Sequence, residues 1–393
     1  MDKPARFALS FASTGHGLCH ASKLVLNVSL AVAAADLGVG LVRMSLALTA
    51  FNLAMGVCSL PAGLLADRLG TSRVLLAFLW MLAGGALLCA TASGFAAFVA
   101  AHTLLGAAAG LYHPPGMALI SHTAGREGMG PALGLHGVAG SLGIALMPLL
   151  VVFGWRRAYL VLALVSVVAA IAGHVLVRRA LLPGVEPPPP ATADRLLARR
   201  DLLLFLAVMS LNGFMLDGFN AIFPEVLRTR GEPSTSLDTL ILALGGVGQY
   251  LGGLLARGGR QGPRYVALAA LQPLLFLGTA LALRGGLSPA IVLGFSSFAF
   301  LNYGLQPMEN RLLAAYTTTA RRSAAYAVKF LIALVVGAFA PPLVVATAER
   351  WGAPASFGVL CAFGTLCAAC AWGFGRAAHR VALAGAVPPP APS

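Results

Sequence analysis

Ionisable and amide side chains recur at helical spacing inside stretches of this sequence that are otherwise apolar. The first stretch carries His16, His20, Lys23 and Asn27 at positions i, i+4, i+7 and i+11, so all four lie on one face of a helix. Ionisable groups are costly in apolar surroundings and normally belong to the path of a solute or an ion. The spacing therefore predicts a polar helix face that contacts a small molecule.

Three later stretches carry similar polar faces. These faces comprise Asp217 and Asn220 in the seventh apolar stretch, His102 and His113 in the fourth, and Asn302, Gln306 and Glu309 in the tenth. Together with His136 and Lys329 in the fifth and eleventh stretches, they predict one cavity that several helices line. The alternative is that such side chains only form hydrogen bonds between helices. For Asn27, His102 and Asn302 taken singly, the two interpretations are equally open.

Glu309 and Lys329 are predicted to lie at the same depth. Each is about nine residues from the loop between the tenth and eleventh stretches, or about 13 Å along a helix. Adjacent antiparallel helices would bring the acid and the amine level, where each stabilises the charge of the other. The ionisation of such an acid depends on whether a solute binds the lysine that pairs with it, and proton coupling requires this dependence. Glu309 is the first candidate for this role and Asp217, also deep in a stretch, is the second. The pair related to Glu309 and Lys329 by internal repetition is His113 and His136.

The elements that hold these residues are apolar runs long enough to cross a bilayer. The 393-residue chain is 58% hydrophobic and 10% charged, and a spanning helix needs about 20 mostly apolar residues. Backbone amides in hydrocarbon must be satisfied within their own segment, which favours helices. The sequence predicts an all-α membrane protein with twelve transmembrane helices, at 7–33, 44–66, 73–92, 94–122, 131–153, 157–177, 202–227, 237–256, 264–283, 288–316, 324–347 and 353–375.

The net charge of +14 follows from membrane topology. If both termini are cytoplasmic, most Lys and Arg residues fall in the loops of the cytoplasmic side, as the positive-inside rule requires. The basicity therefore does not indicate a nucleic-acid partner. We expect a multi-pass protein of the cell inner membrane, with the lipid bilayer as its surroundings, whose N-terminal segment is the first span and not a cleaved signal peptide.

The spans fall into two groups of six around a Pro-rich segment. We predict an N-terminal six-helix bundle (1–182), a cytoplasmic linker (183–200), a C-terminal six-helix bundle (201–376) and a disordered cytoplasmic tail (377–393). The halves also repeat in sequence: GLYHPPG (110–116) aligns with GLQPMEN (304–310), and Pro148 aligns with Pro341 at the same offset. The two bundles are therefore predicted to be pseudo-symmetric.

A short charged loop, GLLADRLGTSR (63–73), follows the second span and recurs without its acid as GLLARGGRQGPR (253–264). This motif and the six-plus-six arrangement resemble the major facilitator superfamily over nearly the whole chain. The His-rich first span, GLYHPPG and the Gly-rich fifth span look like its fosmidomycin-resistance branch of bacterial drug exporters. The resemblance implies a conformational latch in which Asp67 meets the positive end of a helix from the other half. In that latch Arg68 and Arg73 hold the loop, while Gly63 and Gly70 allow close approach.

Several classes of function are excluded or disfavoured. The sequence has no GxxxxGK[ST] for ATP and no HExxH or GxSxG for proteolysis, so we expect no enzyme activity and no cofactor. His16 and His20 have the spacing of metal ligands but no carboxylate close in sequence, and the six cysteines lie within spans as small apolar residues. We expect no metal site.

The remaining interpretation is a secondary transporter whose halves rock about a central site. The predicted cavity is mainly basic, with Arg311 as a further cation, which favours an anionic or zwitterionic small-molecule substrate and a proton as the coupled ion. Export is favoured by the branch resemblance alone. The alternatives are an exporter of lipophilic cations and a transport-inactive sensor or assembly partner on the same fold. We expect a monomer.

Overall fold

Apolar runs of this length form helices because only internal hydrogen bonds satisfy the backbone in lipid. A computed structural model of the protein describes residues 3–123, 125–182, 199–256, 261–315 and 322–384. Twelve of its helical segments are long and apolar enough to cross a membrane, which agrees with the predicted all-α membrane fold.

The N-terminal half contains α1 (Lys3–Asp36), α2 (Leu41–Leu69), α3 (Thr71–Thr91), α4 (Phe95–Gly110), α5 (His113–Thr123), α6 (Gly125–Ala145), α7 (Met147–Val151) and α8 (Trp155–Arg178). The C-terminal half contains α9 (Arg199–Thr229), α10 (Ser234–Leu255), α11 (Gln261–Gly285), α12 (Ser288–Ala315), α13 (Arg322–Gly337), α14 (Ala340–Trp351) and α15 (Ala353–Ala384).

Three of the predicted spans consist of two helices each. The fourth breaks between α4 and α5, just before Pro114, the fifth between α6 and α7, just before Pro148, and the eleventh between α13 and α14, just before Pro341. Proline lacks the backbone donor and its ring clashes with the preceding turn, so the hydrogen-bond ladder stops near it. The breaks at Pro148 and Pro341 fall at repeat-related positions, as expected of two related halves.

Glycines allow the same close packing in each half. A methyl group at Gly106 of α4 would stand 2.3 Å from the carbonyl oxygen of Phe51 in α2, and one at Gly252 of α10 would stand 1.9 Å from that of Gly304 in α12. Only glycine fits either site. The pair α2 and α4 therefore corresponds to the pair α10 and α12, although the glycine stands on the opposite partner.

The two halves meet along several helix pairs. Helix α1 packs against α9, α2 against α13 and α14, and α6 against α10. Thr49 of α2 donates a hydrogen bond of 2.7 Å to the carbonyl of Ala338, between α13 and α14, and Ser141 of α6 donates one of 2.5 Å to Gln249 of α10. Helices α1 and α9, which carry two of the predicted polar faces, are thereby placed against each other.

The charged loop after α2 is a sharp turn at one glycine. Gly70 has φ +89°, a conformation that favours glycine, and Arg73 donates a hydrogen bond of 3.4 Å to the carbonyl of Leu69 at the end of α2. A methyl group at Gly63 would make only an ordinary 3.8 Å contact with Pro114, so no close approach requires this glycine. Arg68 is exposed, and the side chain of Asp67 lies outside the described residues.

Other predicted segments lie wholly or partly outside the described residues. These are 183–198 of the linker, 257–260 of the second loop copy and 385–393 of the tail. Helix α15 continues to Ala384, eight residues into the segment for which composition predicts disorder.

Candidate functional site

Glu309 of α12 and Lys329 of α13 form an ion pair in the C-terminal half. Lys329 Nζ lies 3.1 Å from Glu309 Oε2, and the two side chains are only 7% and 5% exposed. Lys329 also donates a hydrogen bond of 2.7 Å to Asn310 Oδ1. The contact predicted from the depth of the two residues is therefore present, whereas their role in binding a solute stays a prediction.

A polar network surrounds the other oxygen of Glu309. Asn212 of α9 and Tyr265 of α11 donate hydrogen bonds of 2.6 and 3.0 Å to Oε1. Asn212 in turn accepts a bond of 2.8 Å from Gln272 of α11, which accepts one of 2.9 Å from Asn302 of α12. Both carboxyl oxygens of Glu309 are therefore contacted by donors, Oε1 by Asn212 and Tyr265 and Oε2 by Lys329.

A second ion pair joins the two halves. Lys23 Nζ of α1 lies 2.5 Å from Asp217 Oδ1 of α9, with the side chains 18% and 4% exposed. Asn52 of α2 donates a bond of 3.0 Å to Asp217 Oδ2. A Cβ atom at Gly337 of α13 would stand only 2.6 Å from the same oxygen. Asp217 is therefore held by groups from α1 and α2 of one half while it packs against α13 of its own.

Four imidazoles gather in the N-terminal half. His16 stacks on His136 of α6 with ring centroids 4.0 Å apart, and its Nδ1 lies 2.8 Å from the His136 carbonyl oxygen. His20 Nε2 lies 3.0 Å from His16 Nε2. The ring of His113 in α5 lies 5.5 Å from that of His20. The repeat-related His113 and His136 thus occupy one cluster, which His16 and His20 connect.

An aromatic ring connects the histidines with the second lysine. His113 stacks on Phe330 of α13, with ring centroids 4.5 Å apart. Lys329 Nζ lies 5.6 Å from the centroid of the same Phe330 ring, within the range of a cation–π contact. The predicted site residues from the two halves therefore converge on one region between α1, α5, α9 and α13.

The charges of this region balance in pairs, and each lysine keeps free donors. An ammonium group has three N–H donors. Lys329 uses two of them, on Glu309 and Asn310, and Lys23 uses one, on Asp217, among the contacts of the described residues. Each lysine therefore has at least one N–H donor that no contact of the described residues uses.

Several predicted cavity residues have other surroundings. Asn302 is buried in the network of the C-terminal half. His102 Nδ1 lies 3.0 Å from the Ala47 carbonyl oxygen, within the N-terminal half. Both fit the alternative of helix-to-helix hydrogen bonds. Arg311 is exposed, and Gln306 is half-buried.

Asn27 and Asn220 are buried, and each has a side-chain oxygen without a hydrogen-bond partner in the part of the chain that the structure describes. Each is one helical turn further along α1 or α9 than the Lys23–Asp217 pair. A solute or water that reaches this pair would find two further acceptors there.

Other residues of the site are not among the sequence predictions. They are Asn52, Asn212, Tyr265, Gln272, Asn310 and Phe330. The amide residues could have been found from the sequence, because each is a polar residue inside an apolar span. The aromatic residues carry no such signal, since Phe and Tyr are common in any apolar span.

The described residues contain no group of three or more His, Cys, Asp or Glu side chains placed to hold a metal ion. The Nε2 atoms of His16 and His20 contact each other. The six cysteines are free thiols. The chemistry available is hydrogen bonding, ion pairing and proton exchange. These are the means by which a carrier recognises a solute.

The fold is similar to that of solved transporters. A bacterial homologue of the human lysosomal transporter Spinster, in an inward-facing and occupied conformation, aligns with a TM-score of 0.75 over 96% of this chain and 98% of its own, at 13% sequence identity. The human organic anion transporter MFSD10 (TETRAN) aligns with a TM-score of 0.73 over 94% of this chain and 100% of its own, at 19% identity. No curated protein matches the chain.

Sequence comparison gives the family directly. The family model of the Major Facilitator Superfamily matches residues 12–306, which is most of the chain and includes the Lys23–Asp217 pair but not the Lys329–Glu309 pair. With its twelve membrane-crossing segments and its fold, the chain is a multi-pass membrane transporter and not an enzyme. It belongs to the Major Facilitator Superfamily.

Proposed function

We propose that this protein is a proton-coupled secondary transporter, in the inner membrane and as a monomer, for a small anionic or zwitterionic organic solute. The observation that carries the proposal is the presence of two buried acid–lysine pairs in the region where the halves meet. One pair, Lys23–Asp217, crosses between the halves, and the other, Lys329–Glu309, lies within one half. Ionisable residues in such positions normally serve the solute or ion path.

The inventory of charges supports an anionic group on the solute. The two lysines have free N–H donors, the four histidines supply further polar contacts, and the two acids are both engaged by lysines. A carboxylate or phosphonate placed between Lys23 and Lys329 would gain charge-assisted hydrogen bonds, which are stronger than neutral ones. An organic anion is also what the structurally similar MFSD10 carries by its description.

Exchange of partners at Lys329 supplies the link to protons. Glu309 is stable as an anion while Lys329 and two neutral donors face it. When an anionic solute takes the ammonium, the buried carboxylate loses its cation, and uptake of a proton becomes the cheaper state. Solute binding and protonation of Glu309 thereby depend on each other, with Asp217 as the second acid of the same kind.

The charge of the solute sets the direction of coupling. A simple anion favours protonation of the acid, so anion and proton move together. The ammonium of a zwitterion would instead replace the proton on Glu309 or Asp217, so solute and proton exchange. Export by exchange for protons is the form that agrees with the resemblance to drug exporters, and we propose it for a zwitterionic solute.

Neither alternative function has an observation in its favour. A lipophilic-cation exporter needs an acid that is free to face an apolar pocket, but Asp217 and Glu309, the two acids of this site, are paired with lysines. A transport-inactive sensor predicts that the site residues tolerate substitution, which the experiments below test directly.

A stability screen tests the class of solute. The purified protein is heated in detergent with carboxylates, phosphonates, amino acids and lipophilic cations at several pH values. A ligand that binds only the folded state adds about 2.7 kcal/mol when present at a hundred times its Kd. Stabilisation by anions or zwitterions that Lys23→Met and Lys329→Met both remove supports the proposal. Stabilisation by cations alone contradicts it.

A further inference from the structure

Hydrogen bonding fixes which ring nitrogens of the histidine cluster carry protons. His16 Nδ1 lies 2.8 Å from the carbonyl oxygen of His136, and a carbonyl only accepts, so His16 Nδ1 must bear the hydrogen. His16 is 7% exposed, and no carboxylate forms an ion pair with it among the described residues, so burial favours a neutral ring. The Nε2 atom of His16 is then an acceptor.

This assignment determines the state of His20. Its Nε2 atom lies 3.0 Å from His16 Nε2, and two acceptors cannot form a hydrogen bond, so His20 Nε2 donates. A neutral imidazole has one donor and one acceptor. The Nδ1 atom of His20 is therefore an acceptor with a free lone pair, and no donor contacts it in the part of the chain that the structure describes.

Gly140 keeps this arrangement in place. A methyl group at position 140 would stand 2.5 Å from His16 Cε1 and 2.6 Å from its Nδ1. The absence of a side chain on α6 is what lets the imidazole lie against the helix and reach the His136 carbonyl. The backbone of α6 thus sets the tautomer of His16, and His16 sets that of His20.

His20 lies between the other histidines of the cluster and Lys23. His20 is half-buried, its ring lies beside that of His113, and His113 stacks on Phe330 of the other half. Lys23 follows three residues later on the same helix face, where side chains at this spacing are neighbours with Cβ atoms about 5 to 6 Å apart. An acceptor and an ammonium therefore stand side by side on α1.

We propose that His20 Nδ1 accepts a hydrogen bond from an O–H or N–H group of the solute while Lys23 binds the adjacent anionic group. This deepens the proposed function, on which it rests, and names the substrate class: small acids that carry a hydroxyl or amine on the carbon next to the anionic group, or on the one after it. His20 is a specificity-determining residue, because an analogue without the donor leaves its lone pair unpaired. We expect preference of about tenfold for the donor-bearing acid.

The state of the ring nitrogens is measured first, without any solute. The protein is labelled with 15N-histidine, reconstituted in lipid bilayers and examined by solid-state NMR, with His16→Gln and His20→Gln variants assigning the signals. We expect a protonated Nδ1 in His16, and in His20 a protonated Nε2 with an unprotonated Nδ1. A protonated Nδ1 in His20, or a doubly protonated His20 ring, at neutral pH overturns the proposal.

The second arm compares matched probes with and without the hydroxyl group: lactate with propionate, and malate with succinate. In the parent protein, binding of lactate and malate should exceed that of the hydroxyl-free partners about tenfold. His20→Phe should abolish this preference by weakening only the hydroxy acids, and His20→Gln, which retains an acceptor, should restore it. His174→Phe, a change on α8 outside the cluster, should leave the preference unchanged.

The outcomes separate this inference from the proposed function. Equal binding of propionate and lactate, or a preference that survives His20→Phe, overturns the role of His20 while anion transport stands. Failure of every acid to bind, combined with binding of lipophilic cations, overturns both. If His20→Phe does not fold, the parent's NMR tautomers and the His20→Gln comparison still decide the matter.

Discussion

Removal of the Lys329 ammonium should destabilise the protein through Glu309. Lys329→Met keeps a long, flexible side chain but leaves Glu309 without its cation. The pair is almost completely buried, with 7% and 5% of the side chains exposed. After the substitution, Glu309 retains only the neutral donors of Asn212 and Tyr265, at 2.6 and 3.0 Å.

The size of the effect follows from these contacts. Breaking a buried ion pair from one side typically costs about 3 to 5 kcal/mol. Since two hydrogen bonds still stabilise the Glu309 carboxylate, we expect the lower end, about 3 kcal/mol. The double variant Lys329→Met, Glu309→Gln removes both charges while the amide oxygen can accept the same two bonds. Its loss of unfolding free energy should be smaller than the sum of the two single losses by about 1.5 to 3 kcal/mol, within the range for contacting residues.

The assay is a double-mutant cycle of unfolding free energies, measured by reversible titration in mixed detergent micelles at one pH. A matched control is the pair of Arg156 and Asp36, whose atoms are 3.0 Å apart, close to the 3.1 Å of the buried pair, but whose side chains are 35% and 47% exposed. Its coupling energy should stay below about 1 kcal/mol. A Lys329–Glu309 coupling below about 0.5 kcal/mol, or one no larger than in the control cycle, would refute the reasoning from burial.

Three further predictions concern a close helix contact, the second ion pair and the loop after α2. Gly252→Ala should destabilise the protein by about 1 to 3 kcal/mol, because the methyl group would stand 1.9 Å from a carbonyl oxygen of α12, while Gly253→Ala, with its nearest atom at 4.0 Å, should be nearly neutral in the same unfolding assay. Asp217→Asn should free Lys23 and loosen the contact between α1 and α9, seen as faster labelling of cysteines placed on the two helices; an unchanged rate contradicts a role for the pair in joining the halves. Asp67→Asn should weaken the outward-facing state by about 0.3 to 2 kcal/mol, and equal accessibility of a reporter cysteine in variant and parent would remove the latch interpretation.

The membrane spans were predictable because hydrocarbon leaves the backbone one solution. Apolar runs of sufficient length must be helices, and the twelve segments of the structure coincide with those runs to within a few residues. The breaks at Pro114, Pro148 and Pro341 were less accessible, since proline is tolerated in membrane helices when neighbours satisfy the freed groups. Whether a proline bends a helix or divides it depends on the packing around it, which the sequence alone does not determine.

The sequence predicted how deep in the membrane the site residues lie, but not which neighbouring helix each of them faces. Glu309 and Lys329 could be paired because both distances run from one loop, and they are in contact. The partner of Lys23 could not be derived in this way, because Asp217 belongs to the other half and no loop relates their rotations. The network of Asn212 and Gln272 was missed for the same reason. The role of Asp67 stays a prediction.

The most direct test of proton-coupled transport is flux through Glu309→Gln in proteoliposomes with an imposed pH gradient. The amide oxygen accepts the bonds from Asn212 and Tyr265, but an amide cannot take up and release a proton as the carboxyl group does. We predict that uphill transport of the solute identified in the stability screen is lost, while exchange of labelled for unlabelled solute continues. Undiminished uphill transport in Glu309→Gln would contradict the account at its centre.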